Sequence, residues 1–209
     1  MAADLEQSAE HYRQLAPHYD HSTRRIDRVR ERAIAALGLR SGQVALDAGC
    51  GTGWCLDRLA IRVGASGRVI GFDPSQEMLA IARGRARSAL GAPLELIHAA
   101  AQDVVLRAPA DAILFSYTHD LMRSRAALEN VLRQAVPGAR VAATGTKHYA
   151  RWLFPANWYL RLSHRGYVTD FAGFEAPWSL LAEYLDDFRV RTGPFTQHYV
   201  ATGTVRAGG

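Results

Sequence analysis

Short apolar runs and helically spaced apolar positions take turns along this chain. QVALDA (43–48), GRVIGFD (67–73), PLELIHA (93–99), ADAILFSY (110–117) and ARVAATGT (139–146) read as strands of a buried sheet. Between them, the stretch from the glycines to about Val63, SQEMLAIARGRARSAL (75–90) and SRAALENVLRQAV (124–136) space their apolar side chains as helices do. Strand and helix in alternation predict a parallel sheet with helices on both faces. The rhythm breaks in the tail. After a segment dense in aromatics (147–178) and a helix SLLAEYLDDF (179–188), FRVRTG (188–193) and QHYVATGTVRA (197–207) follow without a crossover helix, which predicts an antiparallel hairpin at one sheet edge.

With 209 residues, 48% of them hydrophobic, the chain can bury one continuous core but falls short of two ordinary domains. The expected division is an N-terminal helical cover (1–40), a binding core (41–148), a lid (149–178) and a last helix with the edge hairpin (179–209). No apolar run approaches the roughly 20 residues that span a bilayer, and no signal-peptide core opens the chain, so a cytoplasmic location is expected. Cys50 and Cys55 have neither C-x-x-C nor zinc spacing and read as reduced packing residues, with no metal site.

A net charge of +5 raises the question of an anionic partner. Lys147 is the only lysine, however, and the arginine-dominated basic content resembles overall composition more than a phosphate-binding patch, so no nucleic-acid partner is expected. One basic cluster, RRIDRVRER (24–32), has Ile26, Val29, Ala33 and Leu37 on one helical face. That face is predicted to pack on the domain while the arginines meet water.

ALDAGCGTGWC (45–55) carries the chemistry. An apolar strand runs into Asp47 and then Gly49, Gly51 and Gly53, a pattern that lets backbone approach a ligand closely. A dinucleotide fingerprint, G-x-G-x-x-G counted from Gly49, would need glycine where Trp54 stands, and Asp47 precedes the glycines. A parallel sheet that ends in an antiparallel hairpin also departs from the dinucleotide-binding pattern.

From about 20 to 205 the sequence resembles the class I S-adenosylmethionine-dependent methyltransferases, particularly the small single-domain branch grouped with the ubiquinone and menaquinone methyltransferases. LDAGCGTG is similar to the E/D-x-G-x-G-x-G loop of that family. The resemblance implies an α/β, Rossmann-like, seven-stranded mostly parallel sheet with a C-terminal antiparallel hairpin, an aromatic lid inserted after the fifth strand, and S-adenosyl-L-methionine as cofactor. It implies that Asp47 orders the loop and the cofactor's amino group while Gly49, Gly51 and Gly53 give the close approach. Asp73, at the end of the second strand beside Pro74, suits both ribose hydroxyls, although the same acid could cap the next helix. Met78 reads either as an adenosine contact or as core. Where the branch often has GDAEDLPF, this chain has HAAAQDV with Ala100 in the acid's place, and adenine recognition passes to Ala101, Gln102 and Asp103.

The acceptor belongs at the end of the fourth strand, FSYTHDLMR (115–123), because ligands of open α/β sheets bind beyond the strand ends. His119 is the candidate general base, since an imidazole titrates near neutral pH, and Asp120 could orient it or bind a cationic substrate. The competing reading is a pocket-wall histidine with Asp120 capping the next turn. Tyr117 joins the cofactor contacts and Thr118 the substrate contacts. HYRQLAPHYDHSTRR (11–25) resembles the N-terminal helix of the branch, with Tyr19 over the cofactor and Tyr12 and His21 toward substrate. In the aromatic segment, His148, Trp152 and Trp158 are substrate candidates among rings suited to stacking or cation–π contact.

The expected activity is methyl transfer to nitrogen or oxygen of a small, partly aromatic metabolite. The alternatives are an amino-lipid headgroup N-methyltransferase, which alone would bring a membrane surface as partner, and a non-catalytic cofactor-binding module. Homodimerisation is open.

Overall fold

The computed structural model describes residues 26–86, 91–149, 173–193 and 195–206. After α1 (Asp27–Ala36), strands and helices alternate: β1 (Val44–Ala48), α2 (Leu56–Val63), β2 (Arg68–Asp73), α3 (Gln76–Ala86), β3 (Leu94–His98) and β4 (Ala110–Ser116). Then come α4 (His119–Met122), α5 (Arg125–Arg133), β5 (Ala135–Thr146), α6 (Ser179–Ala182), β6 (Leu185–Arg191) and β7 (His198–Val205). One seven-stranded sheet has the order β3-β2-β1-β4-β5-β7-β6. The first five strands pair in parallel, and β7 inserts antiparallel between β5 and β6, as the missing crossover helix predicts.

The period of two along each strand sends neighbours to opposite faces. On one face Leu46, Ile70 and Ile113 pack with Leu128 and Val131 of α5; on the other, Ala45, Val69 and Leu114 pack with Ile34 of α1, Leu59 of α2 and Leu79 of α3. Two apolar layers therefore clamp the sheet, which fixes where its carboxyl ends open.

Three expectations change. The helix over 124–136 ends at Arg133, and Ala135 already pairs with Ala110 across the sheet; Pro137, lacking an N–H, could not extend the helix. The helix over 179–188 stops at Ala182, because Leu185 to Arg191 gain ladder partners on β7. A register shift between Asp186 and Arg189, with Asp187 at φ 51°, absorbs the misfit as a bulge. Finally, α1 does not present all its arginines to water. Its inward stripe is Arg30, Ala33, Ile34 and Leu37, and Arg30 is only 5% exposed. Glu31 engages Arg58 and Arg62 of α2.

Candidate active site

The strand order sets the site before any side chain is considered. The carboxyl ends of β3, β2, β1 and β4 lie side by side, and a single cavity runs across them. Ala100, Ala101 and Gln102 line it beyond β3, Asp73, Pro74 and Met78 beyond β2, and Asp47, Gly49 and Gly51 at β1. Ser116, Tyr117, Thr118, His119 and Asp120 line it beyond β4.

Gly49 has φ 71°, and a β-carbon there would stand 2.5 Å from Thr118 Cγ2, so only glycine lets the β1 turn pass under the β4 end. At Gly51 (φ 53°) a β-carbon would meet nothing within 4 Å; it would project into open space beside the cavity. The loop is tied down by Cys50 N–H donating to Phe72 O (2.9 Å) and Gly51 N–H donating to Asp73 Oδ2 (2.9 Å). Asp73 Oδ1 accepts from Ser75 N–H (2.9 Å). The cap of α3 falls instead to Ser75, whose Oγ accepts from Met78 N–H (3.2 Å). Asp73 is thus freed from capping, and desolvation raises its pKa despite those two hydrogen bonds.

Asp47 is 1% exposed, and both of its carboxylate oxygens lack a hydrogen-bond partner among the described residues. Burial drives its pKa up to about 7, the positive charge of Arg30 opposes this, and Asp73 adds to it. A buried carboxylate without donors is costly. It marks the place where a ligand donor fits. Arg30 reaches the same cavity from α1 with its guanidinium 5.2 Å from the Trp54 ring centroid and 5.4 Å from that of Tyr117. Sequence reasoning missed Arg30. The available signal was its spacing, since Arg30 shares the helical face of Ala33, Ile34 and Leu37. Trp54, which breaks the dinucleotide pattern, also lines the cavity and carries the Arg58 guanidinium 3.5 Å from its ring centroid.

Tyr117 occupies a left-handed conformation (φ 61°), uncommon for a bulky residue and frequent at functional sites. Its hydroxyl hydrogen-bonds His198 Nδ1 at 3.1 Å. His119 opens α4 and packs edge-on against Phe174, centroids 4.3 Å apart. His148 does not line the cavity. It touches Phe174 from another side and donates its N–H to Phe174 O (2.8 Å). Gly53 also lies off the cavity, where a β-carbon would stand 3.0 Å from Ala82 Cβ, and Asp103 is exposed outside the lining. Tyr12, Tyr19, His21, Trp152 and Trp158 fall outside the described residues. Cys50 and Cys55 are free, buried thiols, held in the protonated form by burial. Among the described residues there is no cluster fit to hold a metal ion and no helix long and apolar enough to cross a membrane.

The family described as "Methyltransferase domain" matches residues 45–138, the span from the glycine loop to the start of β5. A demethylmenaquinone methyltransferase of Oceanobacillus iheyensis is 31% identical over 124 residues, covering 56% of this chain and 50% of that protein. The chain spans about half or less of the length of the first curated relatives it matches. Among solved structures, a chain of the complex between the Haloferax volcanii Trm112 methyltransferase activator and a methyltransferase superposes with TM-score 0.70 at 15% identity, covering 94% of this chain and 98% of that one. The N-methyltransferase NodS of Bradyrhizobium japonicum WM9 in complex with S-adenosyl-L-homocysteine gives TM-score 0.60 at 18% identity, covering 87% and 91%. At those identities the solved structures establish the fold. The domain match spans the glycine loop and the strands that line the cavity, and with the antiparallel strand between β5 and β6 the chain has the fold of the class I S-adenosylmethionine-dependent methyltransferases.

Proposed function

We propose that the protein is an S-adenosylmethionine-dependent methyltransferase acting on nitrogen or oxygen of a small, partly aromatic acceptor. The observation that carries this reading is the single cavity that joins Asp73, the donor-starved Asp47 and the Tyr117–Asp120 segment. When bound, the cofactor supplies an electrophilic methyl group on a sulfonium. The residues fit it. Asp73 retains acceptor capacity for two ribose hydroxyls, Asp47 offers its uncompensated oxygens to an ammonium group, and Arg30 places a cation where a carboxylate would be neutralised. Ala101 and Gln102 border the purine end.

At the β4 end, Thr118 and His119 border the space left for the acceptor. His119 would take the acceptor's proton, and Phe174 against its ring limits how it can turn. Apolar walls would exclude water and align the reacting atoms.

Binding of S-adenosylhomocysteine by calorimetry, followed by transfer of a labelled methyl group to a panel of phenols, aromatic amines and 1,4-dihydroxynaphthalene, tests the reading. Micromolar binding and transfer to an aromatic nitrogen or oxygen support it; preferential binding of a nicotinamide dinucleotide overturns it. Binding without transfer to any acceptor would support the non-catalytic module instead.

A second reading, a quinone-type acceptor, draws support from the demethylmenaquinone methyltransferases among the relatives. The lipid-headgroup alternative has less support, because Arg30 is buried and Glu31 offsets Arg58 and Arg62, leaving Arg28 and Arg32 exposed on α1. Salt-sensitive sedimentation with anionic liposomes would revive it.

A further inference from the structure

The loop that follows β3 is held from behind by one helix. Asn130 of α5 donates through Nδ2 to Ala101 O (2.9 Å) and to Val104 O (2.9 Å). One turn further on, Gln134 donates through Nε2 to the same Val104 O (2.8 Å), and its Oε1 accepts from Leu106 N–H (2.5 Å). Two side chains at i and i+4 thus fix three backbone groups of the loop. Ala100 O closes the turn by accepting from Asp103 N–H (3.0 Å) and Val104 N–H (2.9 Å).

This arrangement leaves the backbone N–H groups of Ala101 and Gln102 without an acceptor among the described residues, at a loop whose residues 100–102 line the cavity. Ala101 O already faces Asn130, and Asp103 is exposed outside the lining. No carboxylate from this loop lines the cavity, so the donors it can offer there are main-chain N–H groups and the Gln102 amide.

We propose that Asn130 is a specificity-determining positioning residue: by holding Ala101 O and Val104 O it aims main-chain N–H donors at the purine edge of the bound nucleoside, which selects adenine over hypoxanthine. The two bases differ where such donors read them. Adenine carries a lone pair at N1, whereas hypoxanthine carries N1–H, which would oppose an N–H donor and leave it unpaired. This inference rests on the proposed cofactor site and concerns how its far end is read.

The test measures binding of S-adenosylhomocysteine and S-inosylhomocysteine to the wild-type chain and to Asn130→Asp, which keeps the shape but turns an acceptor toward both carbonyls. The wild type should prefer the adenine compound by about tenfold or more, and Asn130→Asp should cut the preference to about threefold or less. The ratio is insensitive to the fraction of active protein. Hydrogen exchange on the wild type removes dependence on the variant's folding: the amides of Ala101 and Gln102 should slow with S-adenosylhomocysteine and not with S-inosylhomocysteine. Equal wild-type affinities, a preference unchanged in a folded variant, or unslowed amides would overturn the assignment while leaving the methyltransferase reading intact. Binding of neither compound would remove that reading, and this one with it.

Discussion

Asp73 holds the N–H of Gly51 at 2.9 Å, so the acid that ends β2 and the glycine turn that follows β1 form one unit. A substitution at Asp73 therefore acts twice, on ligand contacts and on loop placement. Asp73→Ala should weaken S-adenosylhomocysteine binding by about 1.5–3 kcal/mol, as expected for a lost hydrogen-bond acceptor of a charged type. Calorimetry on a variant with unchanged circular dichroism decides it, and unaltered affinity would reduce Asp73 to a loop tie.

Asp47 links binding to pH. Its pKa of about 7 in the fold lies above the ordinary 3.8, so the folded protein retains a proton that the unfolded chain releases as pH rises. Stability contributed by this group is thus lost between about pH 4 and 7, at a cost of order 4 kcal/mol above pH 7. Asp47→Asn should raise the melting temperature of the ligand-free protein at pH 8 relative to wild type and change it little at pH 4. The same variant should bind S-adenosylhomocysteine more weakly. Wild-type affinity should climb as pH rises from 5.5 to 8, with proton release on binding detectable by calorimetry in buffers of different ionisation enthalpy; a flat profile would contradict an ionised Asp47 in the complex.

Arg30 makes a separable prediction. Arg30→Met should lower affinity for S-adenosylhomocysteine by about 1.5–3 kcal/mol while leaving methylthioadenosine, which lacks the amino-acid end, almost unaffected. Equal losses for the two ligands would mean that Arg30 only supports the packing of Trp54 and Tyr117.

His119→Ala should lower the transfer rate by roughly 10²–10⁴ with cofactor affinity nearly unchanged, because a general base acts on the transition state. If the variant keeps most of its rate, alignment within the cavity suffices.

Gly49→Ala tests the backbone. The added β-carbon meets Thr118 at 2.5 Å in a left-handed conformation. Thermal melting should show a loss of about 1–3 kcal/mol, and pairing it with Thr118→Ser, which removes the obstructing methyl, should recover part of that loss.

Much of this protein is local and therefore legible in the chain. Apolar runs at strand length mark β1, β2 and β4 because a strand covered on both faces is mostly apolar, and the two tail strands without a helix between them pair as a hairpin. The glycines after β1 announce themselves because positive φ is costly for other residues. Other features depend on what lies opposite. Leu185 and Asp186 fall in the predicted helix and become strand because β7 offers them ladder partners, and Ser75 takes the helix cap that Asp73 could have filled. Arg30 is one arginine among several along α1 until the helix docks and its face turns toward Asp47. Periodicity and dihedral preference were enough to locate the alternating strands and helices from β1 to α5 and the glycine turn after β1, but not the ends of α5 and α6, where pairing with a neighbouring strand overrode the helical pattern. Only the tertiary structure decided which charges share the cavity, because the cost of burying Asp47 and the field of Arg30 depend on distances set by packing between elements far apart in the chain.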